Sequence, residues 1–155
     1  MGKSASGKDT LAKAINKEIG IPIAVSCTTR PMRVGEVQHR EYHFLTEEEF
    51  HQKEFVEKRE YHVYNGDTWY YGYSKDEFEG EDCIAIVDVE GYETLRDYFG
   101  KENVIAIYIH AHEETLIERL IKRGDNPKEI KRRLEDDDIR FNNFIDKIIF
   151  GGEHY

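Results

Sequence analysis

The residues best equipped for chemistry open the chain, in MGKSASGKDT. Gly2 and Gly7 are followed directly by Lys8, and Thr10 stands two places further on. In this Gly-x4-Gly-Lys spacing the glycines let the backbone turn so that successive amides point inward, and the lysine adds a positive charge. A loop of that kind cradles a triphosphate, provided it feeds a helix N-terminus. KDTLAKAINKEIG supplies the helix: Leu11, Ile15 and Ile19 recur on one face, and Gly20 stands where a helix stops. Gly2, Ser4, Ser6, Gly7, Lys8, Asp9 and Thr10 are therefore the candidate triphosphate-binding residues. Asp9 occupies the usual Ser/Thr position, and phosphates repel its carboxylate unless it turns outward or faces a metal. Thr10 is the alternative hydroxyl.

The elements that must hold this loop follow from hydrophobic periodicity. IPIAVSC reads as a short strand, followed by a polar stretch, TTRPMRVGEVQHREYHF, too long for a simple turn. TEEEFHQKEFVEK reads as a helix opened by a Thr46/Glu49 capping box. REYHVYNGDTWYYGYS suggests small antiparallel strands around an Asn-Gly or Gly-Asp turn. DCIAIVDV, ending in Asp88, and NVIAIYI are apolar runs of the kind covered on both faces in a parallel sheet, with the short helix YETLRDYFG between them. HEETLIERLIKRG is a helix closed by Gly124. The next helix begins at Asn126 as cap and Pro127 as first residue, with Ile130, Leu134 and Phe141 on its apolar side. DKIIF reads as a last strand. The alternation predicts an α/β fold, a parallel sheet flanked by helices. One domain over 1–155 is expected, with a core at 1–29 and 80–155 and a small mixed β/α insertion at about 30–79.

Composition narrows the function classes. The net charge of −10 argues against a general nucleic-acid binder or an anionic-membrane binder. Basic residues nevertheless crowd into RPMRVGEVQHR and ERLIKRGDNPKEIKRR, which suits a small polyanionic ligand. No apolar run approaches membrane-spanning length and no signal-peptide pattern opens the sequence, so a cytoplasmic protein is expected. Cys27 and Cys83 lie in apolar contexts and read as buried free thiols. The seven histidines show no metal-ligand spacing.

SCTTRPMRVGEVQHREYHF resembles the acceptor-binding segment of guanylate kinases, with its S-x-T-T-R-P-x-R-x-G-E pattern and closing Y-H-F. The similarity continues in order through EFVE, WYYG, DVEG, ERLIKRG and RRL, covering Gly2 to Phe150. It implies a P-loop kinase fold with a helical lid at about 119–133. The implied activity is transfer of the γ-phosphoryl of MgATP to GMP or dGMP, by a monomer or weak dimer whose partners are small nucleotides. Ser26, Arg30, Arg33, Tyr42, Glu57, Tyr71 and Asp88 are implied to bind the acceptor. Arg30 and Arg33, three apart in a loop, suit a bidentate clamp on one phosphate. Glu57 would accept from the N1–H and exocyclic amine of guanine, where adenine presents an acceptor instead. Lys8, Arg119, Arg123 and Arg133 are implied to be catalytic, with Arg132 as the alternative to Arg133. Arg119 and Arg123 lie i, i+4 on one helix face. Thr10 and Asp88 would hold Mg²⁺, in part through water.

Departures from the family's pattern qualify the base contacts. Tyr73 stands where a Ser or Thr is usual, Ile86 replaces an Asp, Glu90 a Gln, and Gly151 the Asn that touches the donor base. Two rival readings follow: a kinase of the same fold with another acceptor, or an inactive module that binds protein. No strand precedes Gly2, although the loop normally follows a central one. The expectation is a native chain about six to eight residues longer upstream. Otherwise the gap closes by sheet rearrangement or a borrowed strand, leaving Gly2 to Lys8 poorly ordered and nucleotide affinity low.

Overall fold

The structure, a computed structural model, describes residues 1–80 and 82–150. Two compact units divide the chain: Leu11–Ile86 in one, Met1–Thr10 with Val87–Tyr155 in the other. Helix α1 (Lys8–Ile19) follows the opening loop. It buries Ala12, whereas Leu11 and Ile19, the expected apolar face, are 37% and 65% exposed.

In the Leu11–Ile86 unit, strands β1 (Cys27–Thr28), β2 (His43–Phe44), β3 (Phe55–His62) and β4 (Thr68–Ser74) form one sheet in the order β2-β1-β4-β3. β1 runs parallel to β2 and antiparallel to β4, and β3 pairs antiparallel with β4. The predicted hairpin is there. Val63 donates to the Asp67 carbonyl at 2.9 Å across its turn, and Asn65 and Asp67 bond each other there. Helix α2 (Glu47–His51) carries the reciprocal Thr46/Glu49 capping box. It is shorter than its sequence suggested, because Phe55 and Glu57 join a strand. Alternating side chains then put Glu57, Arg59 and Tyr61 on one face of β3. Phe50 of α2 is buried and stacks on Phe55, with ring centroids 4.3 Å apart. At Gly72 in central β4, a Cβ would lie 2.7 Å from the Glu57 carbonyl oxygen, so only glycine lets β3 approach.

In the other unit, helices α3 (Val89–Phe99), α4 (Glu113–Arg123) and α5 (Pro127–Phe150) pack through Tyr92, Leu95, Leu116, Leu120, Ile130 and Phe141, all buried. Gly124 ends α4 in the left-handed conformation at φ 84°. Asn126 accepts from the Lys128 amide at 2.9 Å as the predicted cap. The predicted last strand at DKIIF is instead the end of α5: no Gly or Pro interrupts the sequence from Lys128 to Phe150, so nothing local stops the helix.

The predicted parallel strands form only in fragments. IPIAVSC and DCIAIVDV meet at one parallel bridge, Ile23 to Ile84, and only Cys27 of the first run enters β1. The run 104–110 is extended and takes its pairing from Met1. The N-terminal ammonium donates to the Ile107 carbonyl at 2.6 Å and the Ile109 amide to Met1 at 2.9 Å, the pattern of a parallel pair. Ile105 is 91% exposed. A buried parallel strand needs a partner on each side, and these runs pair too briefly among the described residues to make a ladder. Cys27 is buried, as expected, and Cys83 only half-buried; both are free thiols. Among the described residues, no helix is long and apolar enough to cross a membrane.

Candidate functional site

The opening loop closes on itself. Gly7 has φ 102°, and a Cβ at Gly2 would meet the Ile109 carbonyl and Ser6 Oγ, each at 2.7 Å. Ala5 takes φ 60°, a left-handed conformation uncommon outside glycine. The Lys8 ammonium donates to the carbonyls of Gly2 and Lys3, at 2.8 and 2.9 Å, and so ties the two limbs of the loop. Burial lowers the Lys8 pKa, against the pull of Asp137, Asp9 and Asp88 and with the push of Arg123. Ser6 Oγ is buried without a hydrogen-bond partner among the described residues, the kind of orphan a ligand oxygen would satisfy. Thr10 is exposed in the first turn of α1, beside Asp9.

Other helices of this unit reach the loop. Arg119 of α4 donates to the Ala5 carbonyl at 3.0 Å. The Ser4 amide donates to Asp137 Oδ2 of α5 at 2.6 Å, and Lys3 pairs with Asp138. Burial pushes the Asp137 carboxyl up, with the Ser4 bonds and Lys8 opposing. The predicted lid is the end of α4, the Gly124 turn and the start of α5. Its arginines do not converge: Arg123 grips Asp125 at 2.8 and 2.5 Å, and Arg133 and Arg132 both grip Glu129. Asp88 caps α3 by accepting from the Gly91 amide at 3.0 Å and pairs with Arg140 at 3.2 Å.

In the sheet-bearing unit Glu57 lies on β3, Tyr71 on β4, Ser26 just before β1, and Arg30, Arg33 and Tyr42 between β1 and β2; Asp88, also predicted for the acceptor, belongs to the other unit. Arg30 is only 3% exposed. It donates to both Glu36 carboxylate oxygens, at 2.8 and 3.0 Å, and to the Pro31 carbonyl at 2.7 Å. Its guanidinium lies 5.3 Å from the Tyr42 ring centroid, and Tyr42 meets Tyr71 edge-on at 5.9 Å. Burial alone would raise the Glu36 pKa, but the bonds from Arg30 and the Arg33 amide hold it below the ordinary value. Arg33 is half-buried, with its amide 2.7 Å from Glu36. Glu57 is 2% exposed and pairs with Arg59. Ser26 is buried, its hydroxyl shared between the Cys27 and Gly72 carbonyls at 3.2 Å each.

The structure also explains one departure. The Tyr73 hydroxyl accepts from the Ile86 amide at 2.9 Å and donates to the Ile86 carbonyl at 3.2 Å. Tyr73 and Ile86, two unusual residues, are thus direct partners. Glu90 is within 3.4 Å of Arg140. Gly151 lies outside the described residues.

Sequence reasoning missed Asp137, Glu36 and Arg59. Asp137 sat in an acidic helical run, EDDDIR, that reads as a solvated face. Glu36 was visible in the R-x-x-R-x-x-E spacing, and Arg59 in its two-residue offset from Glu57 once the segment is read as a strand.

A glycine-turned loop with an inward lysine at a helix start, and an arginine from a later helix on its backbone, define the phosphate-loop α/β class. Comparison with known proteins narrows this. The guanylate kinase family model matches residues 1–151. A guanylate kinase of Symbiobacterium thermophilum is 38% identical, the match covering 86% of this chain and 65% of the relative. One of Fusobacterium nucleatum is 32% identical over 98% of this chain and 85% of the relative. The crystal structure of guanylate kinase from Anaplasma phagocytophilum matches the fold at TM-score 0.55 and 20% identity, covering 96% of this chain and 84% of that one. The chain belongs to the guanylate kinase family. It spans just under two thirds of the length of several relatives it matches.

Proposed function

We propose that the protein is a nucleoside monophosphate kinase that transfers the γ-phosphoryl of ATP to GMP or dGMP. The observation that carries this reading is the cluster of Arg30, Tyr42 and Tyr71 in one unit with the buried carboxylate Glu57. A buried cation flanked by two phenols suits a phosphate monoester, and a buried carboxylate suits paired N–H donors of a base. For the acceptor phosphate to use Arg30, its oxygens take over bonds that Glu36 now accepts. Ser26 and Arg33 complete the proposed acceptor set, with Asp88 assigned to it by the family resemblance.

The donor phosphates belong on the opening loop. Its amides, Lys8 and the Ser6 hydroxyl bind them; Arg119, Arg123 and Arg133, on exchanging their bonds to the Ala5 carbonyl, Asp125 and Glu129 for phosphate oxygens, stabilise the charge that spreads over the transferred group. In-line transfer needs no strong base, since positioning and charge neutralisation lower the barrier. Among the described residues no group of three His, Cys, Asp or Glu could hold a metal alone. The Thr10 hydroxyl and Asp88 carboxylate are oxygen donors, which suit Mg²⁺ carried mainly by substrate phosphates and water. The ion, when bound, neutralises charge on the donor phosphates.

The test is a coupled phosphorylation assay with purified protein and GMP, dGMP, AMP, UMP and dTMP. GMP or dGMP is expected to be the best acceptor. Glu57→Gln is expected to cost about 1–3 kcal/mol of guanine discrimination. Equal phosphorylation of AMP and GMP by the wild type would remove the role assigned to Glu57.

A further inference from the structure

Glu57 is not alone on its face of the sheet. Two residues along β3, Arg59 directs its guanidinium at the same carboxylate, Nε pairing with Oε1 and Nη2 lying 3.4 Å from Oε2. Both side chains are withdrawn from solvent, at 1% for Glu57 and 9% for Arg59. Across the hairpin Glu57 stands opposite Tyr73 and Arg59 opposite Tyr71. Arg59 therefore sits between the carboxylate proposed to read the base and the tyrosine proposed to hold the acceptor phosphate. Its Nη1 lies 3.4 Å from the Tyr61 hydroxyl on the same face.

We propose that Arg59 is a positioning residue for base selection, fixing the Glu57 carboxylate for a purine edge that carries two adjacent N–H donors. The inference rests on the acceptor reading above and adds to it the group that makes it work. An ionised carboxylate without a partner in so buried a place is costly, and its side chain has several rotamers to choose from. The strong bond falls on Oε1 and the weak one on Oε2. Each carboxylate oxygen has two lone pairs, so a carboxylate held from one side retains acceptor capacity for a base on the other. An edge with an acceptor at the ring nitrogen, as in adenine, meets a carboxylate that Arg59 keeps from turning aside.

The experiment compares dissociation constants for GMP and AMP by calorimetry on the full chain. The proteins are the wild type, Arg59→Met, Arg59→Lys, Glu57→Gln and the double variant Glu57→Gln/Arg59→Met. Arg59→Met should weaken GMP by about tenfold or more, equivalent to about 1.4 kcal/mol. AMP, held through its phosphate, should change by less than about threefold. Arg59→Lys should fall between, since an ammonium cannot match the planar fork. In the Glu57→Gln background the Arg59→Met change should cost GMP less than about twofold, because the two residues act as one unit. An unchanged GMP-to-AMP ratio in a natively melting Arg59→Met, or additive losses in the double variant, would overturn the proposal. Should Arg59→Met fail to fold, the charge-neutral double variant and Arg59→Lys decide: a ratio lowered about threefold or more by Lys supports it, an unchanged one overturns it. A wild type with no preference for GMP over AMP would instead overturn the acceptor reading, and this proposal with it, before any variant is made.

Discussion

Tyr73→Phe isolates a single hydroxyl whose partners are both backbone groups. The ring is 2% exposed and packs against Phe78 with centroids 5.6 Å apart, contacts that phenylalanine keeps. What disappears is the oxygen that accepts from the Ile86 amide at 2.9 Å and donates to its carbonyl at 3.2 Å. A buried backbone group left without a partner costs about 1–3 kcal/mol. Ile86 is half-buried, so water can reach part of the carbonyl's need, and the amide's shorter bond dominates. The expected loss is about 2 kcal/mol, which for a chain of this size lowers the melting temperature by about 4–8 °C. Hydrogen exchange localises it: the Ile86 amide should lose protection while those of the β3–β4 ladder keep theirs. Burial pushes the Tyr73 phenol well above its ordinary value, so the hydroxyl stays protonated and the difference should persist across neutral and mildly alkaline pH. A Phe variant that melts within a degree of wild type, with unchanged exchange at Ile86, would refute the reasoning.

Three further outcomes are expected. Gly72→Ala should destabilise by about 1–3 kcal/mol in chemical denaturation, because its Cβ would stand 2.7 Å from the Glu57 carbonyl and backbone must shift. Asp137→Asn should tighten ATP binding about threefold or more in calorimetry, since the carboxylate competes with phosphate for the Ser4 amide at 2.6 Å; weaker binding would mean that Asp137 orders the loop for its ligand. Glu36, its pKa held below 4.5, contributes stability that is present above that value and lost as pH falls through the lower, folded-state value. Glu36→Gln should therefore flatten the acid side of the melting-temperature profile, and an unchanged acid limb would exclude Glu36 as its source.

Much of the molecule is legible where the determining contacts are local. The Thr46/Glu49 box, the Gly124 stop, the Asn126–Pro127 start and the Asn65–Gly66–Asp67 turn each depend on residues within about four positions, and spacing alone reveals them. The opening loop is of this kind as well, since its glycines and Lys8 bond within seven residues. Segments that can take either form were decided by what adjoins them. DKIIF has the composition of a strand, yet continues α5 because no residue breaks the helix before it. The apolar runs around Ile84 and Ile107 read as strands, yet pair only briefly, because a strand is completed by its neighbours. The partners of the functional side chains divide the same way. Sequence supplied Arg30, Glu57, Arg119 and Ser4 as candidates. Only the folded chain set Asp137 on the Ser4 amide, Arg119 on the Ala5 carbonyl and Tyr73 on Ile86. Those contacts join residues far apart in the chain, and short-range periodicity carries no information about which distant polar groups burial will force to meet.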